Sequence, residues 1–257
     1  MPRIIRLFPA LLAVPLALGA QSLGDRVTAD DGIVQVVFPS RPATCGDGRS
    51  VIANVLGRSN SYMGDGQHWG RDGWSDRPCV HGPARVVASV VGRQVTRLRT
   101  FVGPVPSASA DMRNITASAG DAAAWLGALA EHATGRVASD AMLPLVIADA
   151  SEPWPILLRV ARDENRPRDV RRSALTWLAN GVNDHLGIAD AHDDSDDDEM
   201  RSQAVFVLSQ RPKTESVPEL IELARSSKHP SARRSAIFWL GQTGDQRAAD
   251  VFAELLR

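Results

Sequence analysis

The chain has 257 residues, enough for one large or two small domains. With 44% apolar and 23% charged residues, it is neither a wholly disordered chain nor a multi-span membrane protein. A net charge of -1 argues against the basic footprint of a nucleic-acid binder. Lys213 and Lys228 are the only lysines; every other basic residue is Arg, which is a bias of composition.

Arg3 and Arg6 open the chain, and Leu7 to Leu18 is an apolar run. A membrane-spanning helix needs about 20 apolar residues, so this run is too short. Pro9 and Pro15 would break it as a buried helix. The small residues Ala17, Gly19 and Ala20 follow, completing the three-part layout of a secretory signal cleaved after Gly19 or Ala20. No Cys follows the run to carry a lipid anchor. The expectation is a signal peptide at 1–20 and a protein exported to the bacterial periplasm or beyond, without stable membrane insertion once cleaved. Cys45 and Cys79 are the only two cysteines. In an oxidising compartment they are expected to form one disulfide. The loop-entropy model gives such a bridge roughly 3–4 kcal/mol.

Residues 21–103 have strand grammar. Val34, Val36 and Phe38 alternate in Gly32–Phe38, and Val51–Leu56 is a second apolar run. Arg85–Val91 and Val95–Val102 flank Gly92-Arg93-Gln94, which suits a tight hairpin. On the later strand Thr96, Leu98, Thr100 and Val102 share one side, with Arg97 and Arg99 on the other. Between the strand pairs, Gly57–Gly82 is glycine-rich and too long for a regular connection. The disulfide would staple its flanks. This segment carries ten Arg against seven Asp, counted over 21–110, whereas 111–257 carries seventeen basic against twenty-three acidic residues.

Gly103-Pro104-Val105-Pro106-Ser107 marks a boundary, and 104–118 is expected to be a linker. Ser118 and Asp121 form an S-x-x-D cap for a helix over Ala119–His132, with Trp125, Leu126 and Leu129 on one face and Gly135 ending it. From there to the C-terminus the grammar is helical. The segment Arg171-Arg172-Ser173-Ala174-Leu175-Thr176-Trp177-Leu178 recurs at 201–208 and again at 233–240. Its alanines, Ala174, Ala204 and Ala236, each lie four residues before a leucine: Leu178, Leu208 and Leu240. That spacing puts both on one helix face, where the small Ala admits a close neighbour. A Pro-led segment recurs at 155–162 and 218–225; Pro is expected in the first helical turn, where its missing N–H costs nothing. Self-similarity near 31 residues predicts stacked helical hairpins, consecutive pairs sharing one apolar seam.

These repeats resemble the HEAT-repeat family, in the short bacterial HEAT-like form also found in phycobilin lyases. Ala236–Ala248, containing Trp239-Leu240-Gly241-Gln242-Thr243-Gly244-Asp245, is the nearest match. The likeness covers 150–257 well and 117–150 loosely. It implies an α-solenoid over 119–257 and, since family members are mostly interaction scaffolds, a protein partner. The fold class expected is α+β in two domains, with a small antiparallel β module at 21–103 followed by that solenoid.

Asp190, Asp193, Asp194, Asp196, Asp197, Asp198 and Glu199 crowd seven carboxylates into ten residues. As a calcium loop starting at Asp194, the run has Glu199 where Gly is needed and Val205 where Glu is needed, so it reads as a solvated loop favouring the next helix start. The histidines at 68, 81, 132, 185, 192 and 229 make no metal-ligand spacing. HEAT-repeat enzymes such as deoxyhypusine hydroxylase hold iron through His-Glu dipeptides, and only the reversed Glu131-His132 occurs here. No nucleophile elbow or phosphate loop appears. No metal and no cofactor is expected. Arg171, Arg201 and Arg233 recur at one repeat position, either as a basic ladder or as ties to neighbouring helices. Tyr62, His68, Trp69 and Trp74 are candidate ligand contacts in the glycine-rich stretch, or anchors packed beneath it. The function expected is a non-catalytic exported scaffold that binds another protein. The alternatives are a small-ligand or glycan module using those aromatics, or an enzyme with a site between the two parts.

Overall fold

The structure is a computed structural model and describes residues 21–42, 44–48, 51–53, 61–63, 80–105, 111–150, 152–186, 188 and 196–257. It is mixed, with two sheets in the N-terminal half and helices from 119 onward.

A short helix α1 (Leu23–Val27), capped by Ser22, precedes strand β1 (Gly32–Phe38). Strands β2 (Thr44–Gly46), β3 (Val51–Ala53), β4 (Ser61–Met63) and β5 (Val80–His81) form a small antiparallel sheet in the order β4-β3-β2-β5. Strands β6 (Ala84–Val91), β7 (Gln94–Val102) and β8 (Met112–Thr116) join β1 in a second sheet, ordered β7-β6-β1-β8. There β1 runs antiparallel to β6 and parallel to β8.

Alternation sends Val34, Val36, Phe38, Ala84, Val86, Ala88 and Val90 into the core, with Leu98 and Val102 from β7. The β6–β7 hairpin turns on Gly92 and Arg93, at φ 58° and 60°. Two successive positive φ values match the right-handed twist of the strands. The Asp31 carboxylate accepts from both turn amides, Gly92 N–H at 2.9 Å and Arg93 N–H at 3.0 Å, which holds it below the usual carboxylate range.

Two features differ from the sequence expectation. First, β8 occupies the segment 104–118 expected to be a linker. Its pattern is short and polar, and parallel pairing with β1 supplies what its composition does not. Second, the sheet and the helices do not keep separate cores. Helices α2 (Ala119–His132), α3 (Arg136–Asp140) and α4 (Met142–Ile147) lie against β1, β7 and β6 and also against α5 (Trp154–Arg162) and α6 (Arg168–His185). One apolar core therefore runs from Val34 through Leu126, Leu145 and Leu157 to Leu178, Leu240 and Phe252. Arg41 adds polar ties, its N–H donating to Ile147 O at 2.8 Å and its Nε to Val146 O at 3.0 Å.

The remaining helices are α7 (Asp196–Ser209), α8 (Lys213–Ser226), α9 (Pro230–Thr243) and α10 (Gln246–Leu255). Their packing is not sequential. Helix α9 lies directly on α6, and it also packs on α7 and α8, while α10 lies against α5, α6 and α8. The α6–α9 approach is close because Gly241 has no side chain: a Cβ there would meet Ala179 Cβ at 2.9 Å and Leu175 O at 3.0 Å. Gln242 Nε2 donates to Thr176 Oγ1 across the same seam at 3.3 Å. Arg162 grips Asp250 through Nη2 at 2.9 Å, and Arg225 grips Glu254 at 2.5 Å, tying α5 and α8 to α10.

The Pro-led segments behave differently from each other. Pro155 sits in the first turn of α5, as expected. Pro218 lies inside α8, which starts at Lys213, so it removes one ladder bond to the Thr214 carbonyl. Pro230, at the head of α9, fills the N-terminal role instead.

Two outcomes follow from these contacts. Gly241→Ala is expected to lower unfolding free energy by about 1–3 kcal/mol in urea titration, because rigid neighbours resist the added methyl despite the better helix propensity; an unchanged or raised stability would contradict the α6–α9 seam. Arg93→Gly is expected to raise stability by about 0.5–1 kcal/mol by removing a left-handed non-glycine residue.

Candidate functional site

The repeat predicts three equivalent alanines, and the structure separates them. Ala174 and Ala236 are completely buried, and so are Leu178 and Leu240. Ala204 is exposed, and Leu208 is only partly covered. The reason is the helix order. Because α9 rather than α7 occupies the flank of α6, α7 is left at the edge, with α8 and α9 as its substantial helical neighbours among the described residues. It turns a different stripe inward: Val205 is 5% exposed, and the Phe206 ring lies 5.1 Å from the Trp239 ring of α9 at a tilt of 47°. Asp198 Oδ1 accepts from Ser231 Oγ of α9 at 2.8 Å and from Arg201 Nη1 at 2.7 Å. Thus one member of the acidic run fixes the angle at which α7 meets α9.

The outer face of α7 is consequently apolar and open. Met200 is 63% and Val207 56% exposed, with Ala204 between them. Positions 200, 204 and 207 follow the i, i+4, i+7 spacing of a helix-packing stripe. An edge element in a stacked array normally turns a polar face to water. This one keeps the small-residue register that its sister helices use for close contact.

A second cluster lies on the face of the larger sheet that turns away from the helices. Arg85 is 5% exposed. Its Nη1 donates to Gln35 Oε1 at 2.9 Å, its Nη2 donates to the Gly48 carbonyl, and its guanidinium stacks 5.0 Å over Phe101. Gln35 passes the chain on to Asn114 Oδ1 at 2.8 Å. Burial pushes the Arg85 pKa down from its ordinary value. The partners are neutral oxygens, and the arrangement clamps the Gly48 turn of the small sheet onto the larger one. Arg85 is not among the site residues expected above, although a lone Arg at the start of an otherwise apolar strand is a visible signal. Asn183, fully buried on α6, was missed as well.

The other candidate residues fall as follows. Cys45 is buried on β2, facing His81 of β5 in register, and Cys79 lies outside the described residues. Tyr62 lies on β4 opposite Ile52, and His68, Trp69 and Trp74 lie outside the described residues. So do Asp190, His192, Asp193 and Asp194. Each recurring arginine has a partner within the protein: Arg171 donates to Gln246 Oε1 at 3.3 Å, Arg201 to Asp198, and Arg233 Nε to the Ala224 carbonyl at 2.8 Å. Arg171 and Arg233 tie neighbouring helices together, while Arg201 pairs within α7. Among the described residues no three His, Cys, Asp or Glu side chains gather to hold a metal ion. Nor is any described helix long and apolar enough to cross a membrane.

Residues 187–257 match the family model for HEAT repeats. Over this C-terminal stretch, comprising α7 to α10, the chain is similar to HEAT repeats, which generally serve protein–protein interaction. No curated protein and no solved structure matches the chain. The match coincides with the helices that bear the open face.

The two faces of α7 are expected to respond differently to substitution. Asp198→Ala should cost about 1–3 kcal/mol of unfolding free energy, since it removes the acceptor of the buried Ser231 hydroxyl. Met200→Ser and Val207→Ser should each change it by less than about 0.5 kcal/mol. Thermal unfolding followed by Trp fluorescence measures both, and a large loss for Val207→Ser would mean that this face is already packed.

Proposed function

We propose that the protein is a non-catalytic interaction scaffold that binds another protein through its HEAT-repeat helices, with α7 as the docking edge. One observation carries the reading: the apolar stripe Met200, Ala204 and Val207 keeps the packing register of the repeat yet stands open to solvent. The match to HEAT repeats over the same helices supports it. In this reading the helical hairpins form a short α-solenoid, and the sheets brace its N-terminal side.

The scaffold works outside the cytoplasm in this proposal. The layout of residues 1–20 supports export. The two cysteines support it as well: a lone pair of cysteines in an exported chain is expected to form one bridge. A Cys45–Cys79 bridge belongs to the proposal and would hold the small sheet closed.

The test is photo-crosslinking in the exporting cell. A photoreactive amino acid at Val207 should give a discrete adduct of defined mass, and the same group at Arg93, on the distant hairpin, should not. Equal labelling at both positions, or none at Val207, would contradict the assignment of this edge.

A further inference from the structure

We infer that the open face of α7 is an isologous interface on which a second copy of this chain packs with its α7 antiparallel. The inference rests on the protein-binding reading above only in assigning this face to a protein.

The argument begins with self-complementarity. A two-fold axis between Gln203 and Ala204 sets Met200 opposite Val207 of the second copy, and Gln203 opposite its Ala204. Each large exposed side chain then meets the other, and the small Ala lies near the axis, where two helix backbones approach most closely. The same pairing would cover all three apolar positions in both copies.

Charge decides the direction. The first turn of α7 carries Asp196, Asp197 and Glu199 besides Asp198, which is held by Ser231 and Arg201, and Arg211 lies just past its end. Antiparallel packing brings the acidic start of each helix beside the basic end of the other, and it does so twice. Parallel packing would bring the two acidic starts together. Arg211 is more than half exposed, and its contact with Glu219 is loose at 3.9 Å, so its guanidinium is available to a second carboxylate. Antiparallel alignment of the helix dipoles acts in the same sense.

One helix from each copy is less than the roughly 800 Å² per partner of a standard interface, so the dimer is weak and depends on concentration. Sedimentation equilibrium on the full exported chain reads this directly. The wild type should move from monomer towards dimer mass between about 1 µM and 500 µM, and added salt should weaken the association. Val207→Arg should remain monomeric throughout with unchanged circular dichroism and melting temperature. Arg211→Glu should weaken self-association at least about tenfold, and mixing it with a Glu199→Arg, Asp196→Arg variant should restore a mixed dimer. An Ala204→Cys variant should form a disulfide-linked dimer on mild oxidation. A wild type that stays monomeric over the whole range, or a dimer indifferent to Val207→Arg, overturns the inference. If the wild type is monomeric while Val207 still crosslinks to a different protein, the second-copy inference fails and the scaffold reading stands.

Discussion

The helical half depends on the direct contact between α6 and α9. Gly241 lets the α9 backbone come down onto Leu175 and Ala179, and Ala174 and Ala236 are completely buried. With α9 in that place, α10 can reach back to α5 through Arg162 and Asp250 and to α8 through Arg225 and Glu254. Helix α7 has nowhere to pack except the edge. In an ordinary repeat array each unit touches its sequence neighbours. Here the final pair of helices is inserted ahead of the pair that precedes it in sequence.

This rearrangement links fold to function. Between α6 and α7 the chain carries the acidic run where another Pro-led partner helix would fall at the repeat period. A segment so charged has little apolar surface to bury. The close-packing stripe of α7 is left facing water, while Asp198 of the same acidic run, through Ser231, sets how α7 is held. The acids therefore act on the orientation of the edge helix, and no metal chemistry is needed to account for Asp198.

Local chemistry was legible in the sequence wherever one residue type admits one backbone answer. Ser118 caps α2 by accepting from Asp121 N–H at 3.1 Å, and the helix covers Ala119–His132 as its pattern specified. The Gly92-Arg93 hairpin and the inward set on β1 were readable for the same reason. What escaped was decided by tertiary partners. The alanine register told that a helix neighbour is wanted at 174, 204 and 236, but it could not tell which helix supplies it, and at Ala204 none of the described helices does. Strand β8 owes its extended form to the edge of β1, not to its own composition. Pro218 reads as a helix start, yet α8 tolerates it because the flanking turn Lys213–Val217 is already anchored, Val217 being fully buried and Lys213 donating to the Thr243 carbonyl. Arg85 and its neutral partners depend on two sheets meeting, which no single-strand pattern encodes.

The skipped packing order is the central claim, and a short crosslink tests it most directly. With cysteines placed at Thr176 and Gln242, whose side chains meet at 3.3 Å, a short bis-maleimide should join the α6 and α9 peptides within one chain, as read by mass spectrometry. A chain stacked in sequence order would instead leave that pair unlinked and would join a cysteine at Thr176 to one at Gln210, the repeat equivalent of Gln242, which would contradict the account.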